Sequence, residues 1–310
     1  MPLCDAEWHF HGVRRGDCAV RTIEFSVPRE YGGVTLRGFL RSVVGLSSRQ
    51  TAKLKRRPGG ITRNGGPVAA PDLLRAGDVV SLAFRDDAPL MPPSPLPVSV
   101  LYQDADLLIV DKPAFMPMYP CPGHDCDSLA NAVSFLQASA GERYAFRPVY
   151  RLDRDTTGAV LLTKNAFAAS RLAGAVRKTY LAVCEGTVAG SGLIDRPIGL
   201  KPGHTVQRAI VPNGRRAVTR WRALSAGRGL SFITVRLKTG RTHQIRVHFS
   251  AAGHPLAGDD MYGGSLALIG RQALHCAELR FRHPVTGKAA RFVAPLPADM
   301  RSLLFSTENE

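Results

Sequence analysis

Residues 149 to 164, Val-Tyr-Arg-Leu-Asp-Arg-Asp-Thr-Thr-Gly-Ala-Val-Leu-Leu-Thr-Lys, set the tightest limit on what this chain can fold into. A charged turn with Arg151, Asp153, Arg154 and Asp155 runs through Thr-Thr-Gly into an apolar run, Ala159 to Leu162, that reads as a buried strand. Removing an unpaired ion from water is expensive, so Asp153 needs a cation beside it. Arg151 or Arg154 alone would supply one, which makes the stretch a structural ion-pair turn. The other reading is a site in use, since four charges against an apolar strand are costly to build for nothing.

The chain before this stretch divides in two. Residues 1–23 have no assignable pattern. From there Glu24 to Val27 alternates as a short strand and Gly32-Gly33 turns the chain. A helix is predicted from about Thr35, with Leu36, Phe39, Leu40 and Val43 on one face, ending at Gly45. Ser47 caps a second helix that runs to Arg57 and is stopped by Pro58-Gly59-Gly60. That helix carries Arg49, Lys53, Lys55, Arg56 and Arg57 without one acid. A hairpin at Asn64-Gly65 and a turn and strand from Ala76 to Leu82 complete a unit spanning 24–85. Residues 86–97, rich in proline, read as a stiff extended linker and a domain boundary.

A second domain, 98–302, follows. Leu107 to Val110 reads as a buried strand. Ser128 caps a helix with Leu129, Ala132, Val133 and Leu136 on its apolar face. Asn165 begins a helix to about Val176, and the next strand places Lys178, Tyr180 and Ala182 on one face. A helix from about Thr242 is expected to bury Ile245, Phe249 and Ala252 before Gly253 and Pro255 stop it. Residues 303–310 read as a loose tail.

A net charge of +16 concerns partners more than fold, and a polyanion is the first candidate. No stretch approaches the ~20 apolar residues that span a bilayer. The N-terminus carries acids where a signal peptide would carry a basic end, so a cytoplasmic location is expected. Cys4, Cys18, Cys121, Cys126, Cys184 and Cys276 are too scattered for a disulfide framework. Only Cys121-Pro-Gly-His-Asp-Cys126 invites a zinc reading, and with no second ligand cluster a Pro-Gly turn is the expectation, with no metal.

Arg-Leu-Asp-Arg-Asp-Thr-Thr-Gly resembles the active-site motif of the large-subunit-type RNA pseudouridine synthases, whose pattern runs His-Arg-Leu-Asp-Arg-x-Thr-Ser-Gly. Further matches are Tyr-Gln-Asp-Ala-Asp-Leu-Leu-Ile-Val-Asp-Lys-Pro from Tyr102 and Lys-x-Tyr-x-Ala from Lys178. Thr-Gly-Arg-Thr-His-Gln-Ile-Arg-Val-His from Thr239, followed by His-Pro-Leu-Ala-Gly-Asp, is a third. The resemblance implies an α+β fold, a mixed and largely antiparallel sheet with helices packed on it. It implies Asp153 as the catalytic carboxylate, Arg246 as its partner, and Tyr180 packed on the flipped base. Arg151 would fill the space the base leaves, and Arg241 and His243 would contact RNA. One position departs: the family usually has His where this chain has Tyr150. Residues 24–85 are similar to the small RNA-binding module first known from ribosomal protein S4, an S4-like α/β domain, whose basic helix implies phosphate contacts by Arg49, Lys53, Arg56 and Arg57.

Isomerising uridine adds and removes no atoms, so no cofactor is expected. The partner is RNA, ribosomal first and transfer RNA second, and the enzyme is expected to be a monomer. Two rivals stand beside this reading. One is a binding-only ribosome-assembly factor on the same fold. The other is a carboxylate glycosidase, for which Asp155 would be the second acid.

Overall fold

The structure, a computed structural model, describes residues 20–85 and 91–305. The first of these stretches folds around its own core. Strands β1 (Val20–Ser26), β2 (Ile61–Arg63), β3 (Gly66–Pro67) and β4 (Val79–Arg85) form a sheet in the order β1-β4-β2-β3. Alternation in β1 and β4 points Ile23, Phe25, Val80, Leu82 and Phe84 inward, against Leu36, Phe39 and Leu40 of helix α1 (Leu36–Ser42). Thr35 caps α1, and Ser47 caps helix α2 (Ser48–Lys55) through a reciprocal capping box with Gln50. Asn64 and Gly65, both at positive φ, make the tight hairpin between β2 and β3. Helix α2 stops at Lys55, short of the expected Arg57. Arg56 is its C-cap, and Arg57 donates to the Arg85 carbonyl at 3.2 Å.

The second stretch is an α+β domain. It contains β5 (Ser99–Gln103), β6 (Leu107–Lys112), α3 (Leu129–Ala140), β7 (Thr157–Thr163), α4 (Ala166–Leu172), β8 (Arg177–Glu185) and β9 (Ser191–Asp195). It continues with β10 (Ile198–Leu200), β11 (Arg208–Ile210), β12 (Val218–Gly227), β13 (Leu230–Leu237), α5 (Gln244–Ala251), β14 (Leu274–Arg282), β15 (Ala289–Val293) and α6 (Ala298–Phe305). A nine-stranded sheet runs β5-β6-β7-β14-β8-β13-β12-β9, with β15 on β14 and a separate β10–β11 hairpin. Every pairing in the large sheet is antiparallel except β7 with β14, which are parallel over Thr157↔His275 and Gly158↔Cys276. The sheet is therefore mixed and largely antiparallel, as expected. All of β7 is buried, and α3 and α4 pack Leu129, Val133, Ala168 and Leu172 into its core.

Several expectations need correcting at element ends. Helix α4 stops at Leu172 rather than Val176, because Gly174 takes a left-handed φ and turns the chain into β8. Ala252 is the exposed C-cap of α5, not part of its buried face. Helix α6 runs to Phe305 with Leu303 buried, so the chain is ordered three residues into the stretch expected as tail. In the proline-rich stretch, residues 91–97 lie along α3, where Asn131 and Ser134 donate to the carbonyls of Pro92 and Met91. Residues 1–19, 86–90 and 306–310 lie outside the described residues.

The two stretches are packed together. Helix α4 has one face in the large core, while Phe167 in its first turn enters the core of the N-terminal unit. The Phe167 ring sits 5.8 Å from those of Phe25 and Phe84. Beside it Arg21 of β1 makes a bidentate pair with Asp106 at 2.9 and 2.8 Å. Asn165 also donates to Asp106 at 2.7 Å while its own oxygen caps α4. Truncating Phe167 removes a fully buried ring, so Phe167→Ala should destabilise by about 3–5 kcal/mol. Hydrogen exchange should show β1 and β4 losing protection before the large sheet does. Equal loss in both would mean that Phe167 does not govern the docking.

Candidate active site

The parallel seam between β7 and β14 is where the chemistry-bearing residues converge. Gly158 has φ +110, and a Cβ on it would lie 2.4 Å from the Cys276 carbonyl oxygen, so the glycine of Thr-Thr-Gly lets the strands meet. Just before β7 the backbone turns through Asp153 to Thr156, closed by the Thr156 N–H donating to the Asp153 carbonyl at 3.2 Å. Lys112, at the end of β6 and wholly inaccessible, holds this turn from below. Its ammonium donates to the carbonyls of Pro113 (2.8 Å), Met116 (2.8 Å) and Arg154 (2.7 Å). Burial pulls the Lys112 pKa down to about 7, against the opposing pull of the Asp155 and Asp153 charges.

Asp153 keeps about a quarter of its side chain exposed, and Arg246 Nη1 stands 3.5 Å from its carboxylate. Arg246 comes from α5. The start of that helix is set by Gln244, whose side-chain oxygen accepts from Thr239 Oγ1 and the Arg241 N–H while its amide donates to Thr219. Arg246 is the cation that faces Asp153. Arg154 instead pairs with Asp155 at 2.8 Å, and Arg151 is exposed. The closest partner of Arg246 is a different acid, Asp259. The two share a bidentate pair with both bonds at 2.7 Å, and the Asp259 side chain is fully buried. The guanidinium also lies 4.9 Å over the Tyr262 ring. The Tyr262 hydroxyl accepts the Arg208 N–H and lies 2.8 Å from His243 Nδ1. Burial pulls the His243 pKa below its usual range, with the Asp153 charge opposing it.

Tyr180 on β8 pairs in register with Cys276 of β14. Burial lifts the Tyr180 hydroxyl well above its usual range, with Cys276 and the Asp153 charge adding to it. It is a neutral phenol at physiological pH. Tyr150, the departure noted above, donates its hydroxyl to the Ala159 carbonyl at 2.8 Å. Its ring lies 4.4 Å under the Lys178 ammonium. Tyr150, Tyr180, Lys178 and Cys276 thus form one cluster beneath the seam.

Asp153, Tyr180, Arg246 and His243 come together, with the exposed Arg151 two residues before Asp153, while the remaining candidates lie apart or are otherwise engaged. Arg241 spends its Nε on the Arg216 carbonyl at 3.0 Å. Arg49, Lys53 and Arg56 are exposed on or at the end of α2, and Arg57 is half-buried. Four residues around the site were not singled out from the sequence: Lys112, Asp259, Tyr262 and Cys276. Two of them had a signal, since Lys112 sits in Asp-Lys-Pro and Asp259 ends His-Pro-Leu-Ala-Gly-Asp. Among the described residues, Asp104, Asp106 and His283 lie close enough to share a cation. Their oxygens are already taken, those of Asp106 by Arg21 and Asn165, and those of Asp104 by Tyr102, His283 and two backbone N–H groups. The Cys121 stretch forms the expected turn, with Cys121 and His124 exchanging backbone bonds.

A family model described as RNA pseudouridylate synthase matches residues 106–251. The uncharacterized RNA pseudouridine synthase YjbO of Bacillus subtilis is 38% identical over 269 residues, covering 84% of this chain and 95% of that protein. Ribosomal large subunit pseudouridine synthase D of Vibrio cholerae is 35% identical over 263 residues, covering 78% and 81%. The solved structure of human RNA Pseudouridylate Synthase Domain Containing 4 superposes with a TM-score of 0.54 at 22% identity, covering 67% of this chain and 92% of that one. That likeness establishes the pseudouridine synthase fold, and the sequence matches establish kinship. Among the described residues no helix is long and apolar enough to cross a membrane. The chain belongs to the RNA pseudouridine synthases, isomerases that convert uridine to pseudouridine within RNA.

Proposed function

We propose that this enzyme modifies a structured ribosomal RNA, with Asp153 as its catalytic carboxylate, acting as a monomer in the cytoplasm. The observation that carries the reading is the Asp153–Arg246–Asp259 chain of charges. One carboxylate is left partly open to solvent, and the cation facing it is locked from behind by a fully buried acid. The reaction breaks the bond from N1 to the sugar, turns the base and rejoins it through C5. The C5 proton leaves, N1 regains one, and nothing is added overall. A compact carboxylate serves this as nucleophile or as base.

In this reading Arg246 supplies the positive charge that a carboxylate in a confined pocket needs, and Asp259 positions Arg246. Tyr180 offers its neutral ring as a face against the uracil. The base must leave its stack to reach Asp153, and the exposed Arg151 fills the gap. The S4-like unit adds affinity through Arg49, Lys53 and Arg56. The name of the Vibrio cholerae relative supports ribosomal over transfer RNA as the substrate. Engagement of Arg57 and of the Arg241 Nε by carbonyls leaves those two side chains weaker candidates for phosphate contact.

Asp153→Asn should abolish pseudouridine formation in total RNA from a strain lacking the gene, while filter binding of that RNA stays within about twofold. Retained turnover would remove Asp153 from the chemistry. Asp259→Asn takes from the buried Arg246 its bidentate ionic partner and leaves only the Asp153 carboxylate, at 3.5 Å, near it. It should destabilise by about 3 kcal/mol and lower kcat at least tenfold with little change in KM, as steady-state kinetics would show. Replacing Arg49, Lys53 and Arg56 together with Ala should flatten the plot of log affinity against log salt by about 2–3 units, because each phosphate left without its cation takes roughly 0.7–0.9 from the slope. An unchanged slope would take the RNA-binding role away from α2.

A further inference from the structure

The turn after β6 contains an apolar side chain that the protein itself does not use. Phe115 has φ +59, a left-handed backbone that bulky side chains rarely adopt. Its ring is not buried in return, for the residue is 58% exposed. Both flanks are fixed: Lys112 is inaccessible, Met116 is buried, and the Lys112 ammonium grips the carbonyls of Pro113 and Met116. The chain therefore holds a strained backbone in place in order to present an aromatic ring to solvent. Strain of this kind persists where surrounding structure enforces it, and it gathers at ligand sites.

The turn is tied to the loop that carries Asp153. The ammonium that grips it also binds the Arg154 carbonyl, next to Asp153. Further along the same loop Tyr119 lies within the field of Arg151, and its exposed ring packs edge-on against Phe146 at 5.1 Å. The two loops that Lys112 ties together thus carry two exposed aromatic rings and an exposed arginine. A planar ring with an apolar face and an anionic backbone beside it is what such a surface fits, and a nucleotide in RNA has both.

We propose that Phe115 is a stacking platform for a nucleobase of the substrate RNA that neighbours the uridine entering the site at Asp153. It is a specificity-determining residue outside the chemistry, and the inference rests on the reading of Asp153 as the centre of the reaction. Stacking on the exposed ring covers apolar surface that the free enzyme leaves wet and uses a side chain with little freedom to lose. Phe115 then selects by the presence of an unstacked neighbour rather than by hydrogen-bonded sequence.

Glycine at this position keeps the left-handed turn and removes the ring. The test compares the full-length protein with Phe115→Gly, Phe115→Leu and Phe115→Trp, using total RNA from a strain lacking the gene. Phe115→Gly should melt at a higher temperature than the parent, since strain is relieved, yet show KM raised roughly tenfold, within the range expected for removing one base–aromatic stack, with kcat within about threefold. Phe115→Leu should show the same KM defect without the gain in melting temperature. Phe115→Trp should return KM to within about twofold of the parent. A Phe115→Gly enzyme with unchanged KM overturns the proposal, as does a Leu variant that equals the parent. If the parent itself makes no pseudouridine, the proposed reaction fails, and filter binding of the same RNA decides about Phe115. A tenfold weaker Kd for Phe115→Gly sustains the platform, and equal binding, or no binding by the parent, removes it.

Discussion

The Lys112 ammonium, sealed inside the protein, joins two loops that would otherwise have no reason to stay in register. An ammonium has three protons to donate, and here each meets a backbone carbonyl, two from the turn after β6 and one from the turn that carries Asp153. Burying a cation is tolerable only on such terms. The arrangement ties the position of Asp153 to the end of a central strand. The loop that bears Asp153 is thereby given nearly the rigidity of the sheet.

The same economy of fixed charges appears on the other side of Asp153. Arg246 would be free to swing if Asp153 were its only partner, because a single contact at 3.5 Å constrains little. The bidentate bond to Asp259 and the face of Tyr262 hold the guanidinium plane, leaving one nitrogen to address the open carboxylate. Below, the Tyr150 position is accounted for by its surroundings. A phenol reaches the Ala159 carbonyl and offers Lys178 a ring, so Tyr150 is built into the floor of the site.

Sequence signals proved legible where they were local. Thr35, Ser47, Ser128 and Asn165 each cap a helix as polar residues before an apolar periodicity should. The Asn64-Gly65 hairpin followed from turn chemistry, whereas the largely antiparallel sheet was implied by the family resemblance and not by any local pattern. Failures came where a distant partner decided. Arg57 looked like one more basic helix residue, and its bond to the Arg85 carbonyl depends on where β4 ends. Helix α6 gains its order from burial of Met300 and Leu303, which periodicity over so few residues could not announce. Asp259 was visible as part of a motif, but that it grips Arg246 is a fact of folding thirteen residues apart into contact. Nothing in the order of the residues marks Phe167 as belonging to the small core while its helix belongs to the large one.

That shared helix, with its phenylalanine, alters how the two halves of the enzyme can search. Two units on a free connection would search separately, with the second contact won by local concentration. With Phe167 seated in the small core and Arg21 clamped on Asp106, the basic helix α2 and Asp153 keep a constant separation. Under the proposed RNA-binding role, the molecule is then a pair of calipers. An RNA is accepted when its own fold sets a stretch of phosphates at the right span from an accessible uridine. Length, rather than letters, becomes the first thing the enzyme measures.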